Sequence, residues 1–112
     1  MKTRHVVAII IEKGDAYLFG RKARNKGPYP NKWLLIGGGI EGSETILEAL
    51  HREVREETGL KVTDVEPLFI EEDDVSIDDE MVHFVFLICK VQWKSGEARP
   101  GDDIVERRWV KK

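Results

Sequence analysis

The sequence predicts an α+β domain built from one helix and about six strands. Three observations carry that reading. Residues 45–59 show helical periodicity with a start and a stop signal at the ends. Short β-branched and aromatic runs of strand length lie on both sides of it, separated by glycine, proline and acidic turns. The chain has 112 residues, 41% apolar and 35% charged; that suffices for one compact core over residues 1–112 and does not describe a disordered chain.

In chain order, "HVVAIII" reads as a buried strand ending at the turn "EKGD", with "AYLFGR" as its hairpin partner. "KARNKGPYPN" reads as a basic loop, and "KWLLI" as a short strand running into Gly37, Gly38 and Gly39. After the helix, "KVTDVEPLFIEE" is a strand bent or edge-placed at Pro67, and "DDVSIDD" an acidic turn. "MVHFVFLICKVQW" is the longest apolar strand, "KSGEARPGDD" a loop and "IVERRWV" the last strand.

The helix raises the first functional question. Ser43 or Thr45 could cap it; Thr45 followed by Glu48 forms a capping box and is preferred, and Gly59 ends the helix. At about 100° per residue, Ile46, Ala49, Leu50 and Val54 fall on one arc with Leu47 at its edge. Glu48, His51, Arg52 and Arg55 fall opposite. Glu53 and Glu57 land within the apolar arc, and Glu56 at its border. Three carboxylates near a helix C-terminus repel one another and oppose the macrodipole, so they call for positive charge. Arg52 and Arg55 supply some. A hard cation bound by oxygens, Mg²⁺ first and Mn²⁺ second, would supply more and would wait for substrate phosphates to complete its shell. The glycines Gly37, Gly38 and Gly39 let backbone approach such a ligand closely.

Other classes fit less well. Gly37, Gly39 and Gly42 satisfy G-x-G-x-x-G, but Glu41 and Glu44 stand where a dinucleotide's pyrophosphate would dock. A P-loop fails because Ser43 and Glu44 replace its Lys and Ser/Thr. His5, His51 and His83 form no ligand cluster by spacing. A net charge of -3 argues against nucleic-acid binding through bulk electrostatics. Cys89 is the only cysteine, which excludes an internal disulfide. The apolar run at the N-terminus is too short for a membrane span and lacks a signal-peptide cleavage pattern, so a cytoplasmic protein is expected.

The residues Gly38, Glu44, Arg52-Glu53-Val54, Glu56-Glu57 and Gly59-Leu60, at their spacing over residues 38–60, resemble the complete Nudix box. The similarity extends more loosely from "HVVAIII" to "ERRWV". It implies an α/β/α sandwich around a mixed sheet and Mg²⁺-dependent hydrolysis of a nucleoside diphosphate linked to another group. By position, Glu53, Glu56 and Glu57 match the metal ligands and the Gly37 carbonyl a backbone contact to the metal. Arg52 matches the arginine that orients the catalytic glutamates, and Glu44 a glutamate supporting loop and helix. Glu53 is the first candidate for general base. Asp103, with Asp102 and Glu106 as alternatives, matches an acid that some members use instead. Arg21 closes the second strand where similar proteins present a basic residue to phosphate, and Lys22, Arg24 and Lys26 extend that patch. Gly38 and Gly39 lie where substrate approaches.

The chain departs from the family pattern at Ile36, where Pro is usual, at Gly39, where Lys is usual, and at Ser43, where Gly is usual. The sequence stops at Lys112, before the second helix that similar proteins carry. The expected reaction is MutT-type cleavage of a nucleoside triphosphate to monophosphate and pyrophosphate. ADP-ribose and dinucleoside polyphosphates are the alternatives within the fold, and a catalytically silent nucleotide- or protein-binding domain is the alternative of another class. "VVAIII" and "MVHFVFLIC" are apolar at both alternating sets of positions, which predicts burial on both faces. The one helix covers one face, so a homodimer covering the other is expected, the alternatives being that loops such as "KARNKGPYPN" fold across it or that the chain is a truncated form.

Overall fold

The computed structural model describes the backbone of residues 1–22, 33–97 and 104–112, and the side chains of 1–20, 34–97 and 108–112. Seven strands and one helix occur among them: β1 (Lys2–Lys13), β2 (Ala16–Lys22), β3 (Trp33–Leu34), β4 (Ile36–Gly39), α1 (Ile46–Thr58), β5 (Lys61–Ile77), β6 (Glu80–Ser95) and β7 (Ile104–Lys111). All seven strands join one mixed sheet in the order β3-β2-β1-β6-β5, with β4 also on β1 and β7 also on β2. β1 and β6 are parallel over eleven pairs, Lys2↔Val82 to Glu12↔Gln92; every other pairing is antiparallel.

β1 organises the molecule. Its odd residues Val7, Ile9 and Ile11 are fully buried and pack with Leu50 and Val54 of α1 and Cys89 and Val91 of β6. Its even residues Val6 and Ala8 project to the other face, because side chains alternate along a strand. On that face Val82, Phe84 and Ile88 of β6 are also buried, each at 6% exposure or less. Among the described residues no helix is long and apolar enough to cross a membrane.

Three local expectations are corrected. "KWLLI" does not form one strand: β3 pairs with β2, β4 pairs with β1, and Leu35 carries the chain from one to the other. Gly37, Gly38 and Gly39 are consequently strand residues rather than loop. "DDVSIDD" is a turn only at Asp78–Asp79, both with positive φ (50° and 65°); Asp73 to Ile77 continue β5 because β6 offers partners as far as Glu80. Pro67 does lie on the edge strand, beside shifts in register. Ile46 and Leu47 are 45% and 53% exposed. Both belong to the first turn of α1, and burial against the sheet begins only at Ala49.

Candidate active site

The helix that carries the glutamates is fixed at both ends. Thr45 accepts from the Glu48 backbone N–H at 3.1 Å while Glu48 accepts from the Thr45 N–H at 2.9 Å, the reciprocal capping box; such caps contribute about 1 kcal/mol. At the other end Gly59 adopts φ 74° and donates to the Arg55 carbonyl. Thr58 is buried there, its hydroxyl donating to the Val54 carbonyl and accepting from the Leu60 N–H.

Between these ends Glu53 and Glu57 face inward, at 6% and 4% exposure. The inward placement expected from periodicity is therefore what the structure has. Glu53 lies directly against β4. A Cβ at Gly38 would stand 2.5 Å from its Oε1, and a Cβ at Gly37 would stand 2.1 Å from the Val7 carbonyl oxygen. Neither position accommodates a side chain, so the glycines serve close approach on both sides of β4 at once.

Arg52 joins the helix to the segment that precedes it. Its Nε and Nη2 donate to the two oxygens of Glu44 at 2.6 and 2.9 Å, a bidentate pair. Nη1 donates to Glu53 Oε1 at 2.7 Å and to Glu56 Oε2 at 3.3 Å, and Nη2 also to the Gly39 carbonyl at 2.9 Å. Glu41 lies 3.8 Å away, and its N–H donates to Glu44 Oε1. The guanidinium holds the Glu44 carboxyl down at about 2, its hydrogen bonds to Arg52 being the largest cause and the Glu41 N–H next. Arg52 is itself pushed further up, chiefly by Glu44. Helical periodicity alone puts Arg52 on a solvent-facing side; its side chain is 14% exposed because Glu44 and Gly39 close over that side.

The carboxylates are not gathered as a finished metal cage. Among the described residues no three His, Cys, Asp or Glu side chains are grouped to hold a metal ion. Glu56 leans to Arg52 and is 40% exposed, whereas Glu53 and Glu57 point inward. The donor set nevertheless fits a hard divalent cation: buried carboxylate oxygens one helical turn apart, beside a strand whose glycine lets the Glu53 carboxylate lie close against backbone. Of the other expected residues, Asp102, Asp103, Arg24 and Lys26 lie outside the described residues. Arg21, Lys22 and Glu106 are described in backbone only, with Arg21 opposite Glu106 across β2 and β7.

Sequence reasoning did not identify the groove on the face away from α1. It has a volume of about 800 Å³ and runs from Gly37–Gly39 over Val6, Ala8, Phe84, Phe86 and Ile88. The double apolar periodicity of β1 and β6 was its signal. Gly38 lines this groove from one side of the sheet, and Glu53 of α1 lies against the same glycine on the other.

Comparison with known proteins agrees with this geometry. A model of the NUDIX domain matches residues 1–112. The nucleoside triphosphatase NudI of Enterobacter sp. (strain 638) is 33% identical over 118 residues, 98% of this chain and 83% of that protein. NudI of Escherichia coli O139:H28 is 33% identical over 119 residues, 99% of this chain and 84% of that protein. Among solved structures, the MutT NUDIX hydrolase of Burkholderia pseudomallei superposes with a TM-score of 0.85 at 21% identity, covering 99% of this chain and 84% of that one. A NUDIX hydrolase from Nitrosomonas europaea gives 0.79 at 25% identity, covering 98% and 73%. With a glutamate helix clamped by its own arginine against a glycine strand, and with the family model matching from first residue to last, the chain belongs to the Nudix hydrolases.

Proposed function

We propose that this protein hydrolyses nucleoside triphosphates to monophosphate and pyrophosphate, with Mg²⁺ or Mn²⁺ as cofactor. The observation that carries the reading is the Arg52 clamp, which ties Glu44, Glu53, Glu56 and the Gly39 carbonyl together at the end of an apolar groove. The curated relatives named nucleoside triphosphatase favour a triphosphate over ADP-ribose or a dinucleoside polyphosphate.

Glu53, Glu56, Glu57 and the Gly37 carbonyl would hold the divalent ion. When bound, such an ion neutralises diphosphate charge and makes water acidic enough to attack. Glu53 takes the proton of the attacking water as general base. Arg52 keeps Oε1 of Glu53 hydrogen-bonded and so fixes the orientation of its carboxylate. Glu44 has its carboxyl held near 2, so it stays ionised at neutral pH and anchors Arg52 without competing for that proton. The groove takes the nucleoside, its apolar floor excluding water from one side of the phosphates. Arg21 grips phosphate, and Gly38 and Gly39 let the substrate lie against backbone. Asp103 is the alternative base. A lone cysteine, Cys89, buried within the sheet, fits a reducing cytoplasmic compartment.

A panel of nucleoside triphosphates, ADP-ribose and dinucleoside polyphosphates, incubated with Mg²⁺ and scored for pyrophosphate, phosphate and monophosphate, tests the proposal. Monophosphate and pyrophosphate from triphosphates are expected. Preferential cleavage of either other class transfers the assignment to it, and tight binding with no cleavage of any substrate makes the domain a silent binder.

A further inference from the structure

The groove is polarised across its width. Its floor includes the ring pair Phe84–Phe86, with centroids 5.7 Å and planes 18° apart. On β1, Arg4 stands in register with Phe84 and Val6 with Phe86. On β5, beyond the other side of β6, Glu71 stands in register with Phe86. Paired residues of adjacent strands project to the same face, and both Arg4 and Glu71 line the groove. Neighbouring strands lie about 4.8 Å apart and residues about 3.3 Å along each strand, so Arg4 and Glu71, two residues out of step, stand diagonally across β6 at about 12 Å, with Asp73 directly opposite Phe84. That is room for one flat ring system over β6 with Arg4 at one edge.

Arg4 is exposed and, among the described residues, enters no hydrogen bond or ion pair. Its position is also tied to the glutamate helix. Gly39 lines the groove beside it, and the carbonyl of that same glycine accepts from Arg52. A cation left unpaired at the mouth of an apolar groove, two strands from a carboxylate, has a ligand edge as its natural counterpart.

We infer that Arg4 determines base specificity, donating from its guanidinium to a carbonyl of a nucleobase stacked over Phe86 and so selecting keto bases over adenine. The inference rests on the nucleotide reading above and goes beyond it by naming the residue and the base class. A guanidinium carries donors only. It meets a carbonyl oxygen with a charge-assisted hydrogen bond and meets an exocyclic amine donor against donor. Glu71 has acceptors only, so it makes no competing contact with a base carbonyl and leaves that role to Arg4. Adenine offers no carbonyl, and its one exocyclic group is a donor. Because Arg4 is exposed rather than sealed in, the discrimination is modest compared with a fully enclosed polar pocket.

Inosine triphosphate and ATP isolate the effect, since they differ only in carrying a carbonyl with an adjacent N–H or an amine with an adjacent bare nitrogen. Wild type is expected to favour inosine triphosphate in kcat/KM by about tenfold. In Arg4→Met the ratio falls to about one, and in Arg4→Lys, which keeps the charge without the fork, part of it survives. Arg4→Gln replaces Arg4→Met should the latter melt below wild type. Inorganic tripolyphosphate, which has no base, is the third substrate. A loss in Arg4→Met as large for tripolyphosphate as for inosine triphosphate makes Arg4 a phosphate contact and overturns the inference. So does equal use of the two nucleotides by wild type, or a ratio that survives in Arg4→Met. If wild type cleaves no triphosphate, the hydrolase reading fails separately. Calorimetric binding of inosine monophosphate and AMP then repeats the comparison: tighter inosine binding lost in Arg4→Met supports the role, and equal or absent binding overturns it.

Discussion

Arg52 on α1 and His83 on β6 are both cations held between carboxylates, and they behave differently. Arg52 is 14% exposed and bridges Glu44, Glu53 and Glu56 through five donors fixed in one plane. Its charge is permanent. His83 is 31% exposed, with Nδ1 2.6 Å from Asp74 Oδ1 and Nε2 2.9 Å from Glu72 Oε1. Both carboxylates accept, so both ring nitrogens must donate, which requires the imidazolium. Asp74 first and Glu72 second raise its pKa accordingly. One clamp holds the glutamate site in the same geometry across the working pH range. The other makes the acid-rich β5–β6 hairpin tight in acid and looser in base.

The widest separation between the regions is in activity. Glu53→Gln should lower kcat by about a hundred- to ten-thousandfold in a pyrophosphate-release assay, the usual contribution of a general base. Glu72→Gln, which removes a carboxylate from the other clamp, should leave kcat within twofold of wild type. A Glu53→Gln variant with wild-type turnover moves the base elsewhere, Asp103 being next.

Stability separates them less. Arg52→Met leaves Glu44 and Glu53 without their shared counter-charge, and losing one partner of a shielded, hydrogen-bonded pair costs several kcal/mol. Because the clamp retains some solvent, about 2 kcal/mol is expected, read as a lowered urea midpoint at unchanged slope. Activity should fall with it, since the orientation of Glu53 is lost. Wild-type stability in this variant would make the clamp a surface feature only.

The smallest effect is the most specific. A folded pKa above the unfolded value stabilises fully below the unfolded pKa and ceases to do so as pH rises through the folded one. The His83 contribution is therefore complete below about 6.5 and fades through the raised value. Glu44 has the opposite sign: its contribution is complete above the ordinary carboxylate range and fades only as pH falls toward about 2. Between pH 5 and 9, then, the Arg52–Glu44 pair is a constant background. Comparing melting temperatures of wild type and His83→Gln over that window should show a gap at the acid end that closes toward the alkaline end. A gap that is the same at both ends would mean that His83 acts through packing alone.

Much of the Arg52 region could be read from sequence because its signals are local. Thr45 and Glu48, Gly59, and the inward phase of Glu53 and Glu57 follow from spacing along one helix, and each was found where expected. What depended on other parts of the chain was harder to see. Periodicity cannot reveal that the first turn of α1 lies beyond the region of sheet contact, where Ile46, on the apolar arc, and Leu47, at its edge, stay exposed. Nor can it reveal that Glu44 and Gly39 return over Arg52; the resemblance implies that Arg52 orients glutamates and that Glu44 supports loop and helix, and the pairing of the two is seen only in the structure. The β5–β6 hairpin departs from the sequence expectation for a related reason. Acidic residues such as Asp73 and Asp74 signal a turn by composition, but Phe84 and His83 stand opposite them in β6 and keep them in the strand.

The alternation along β1 has an evolutionary consequence. Val7, Ile9 and Ile11 are committed to the packing beneath α1, whereas Arg4, Val6 and Ala8 line the groove. Residues two apart thus answer to the same selective pressure, and adjacent residues to different ones. A lineage can retune what the groove accepts by single substitutions at even positions while the odd positions keep the molecule folded. A one-residue insertion within the strand would exchange the two sets and lose both functions together. Natural variation in β1 should therefore consist of substitutions at alternate sites, with insertions and deletions confined to its ends.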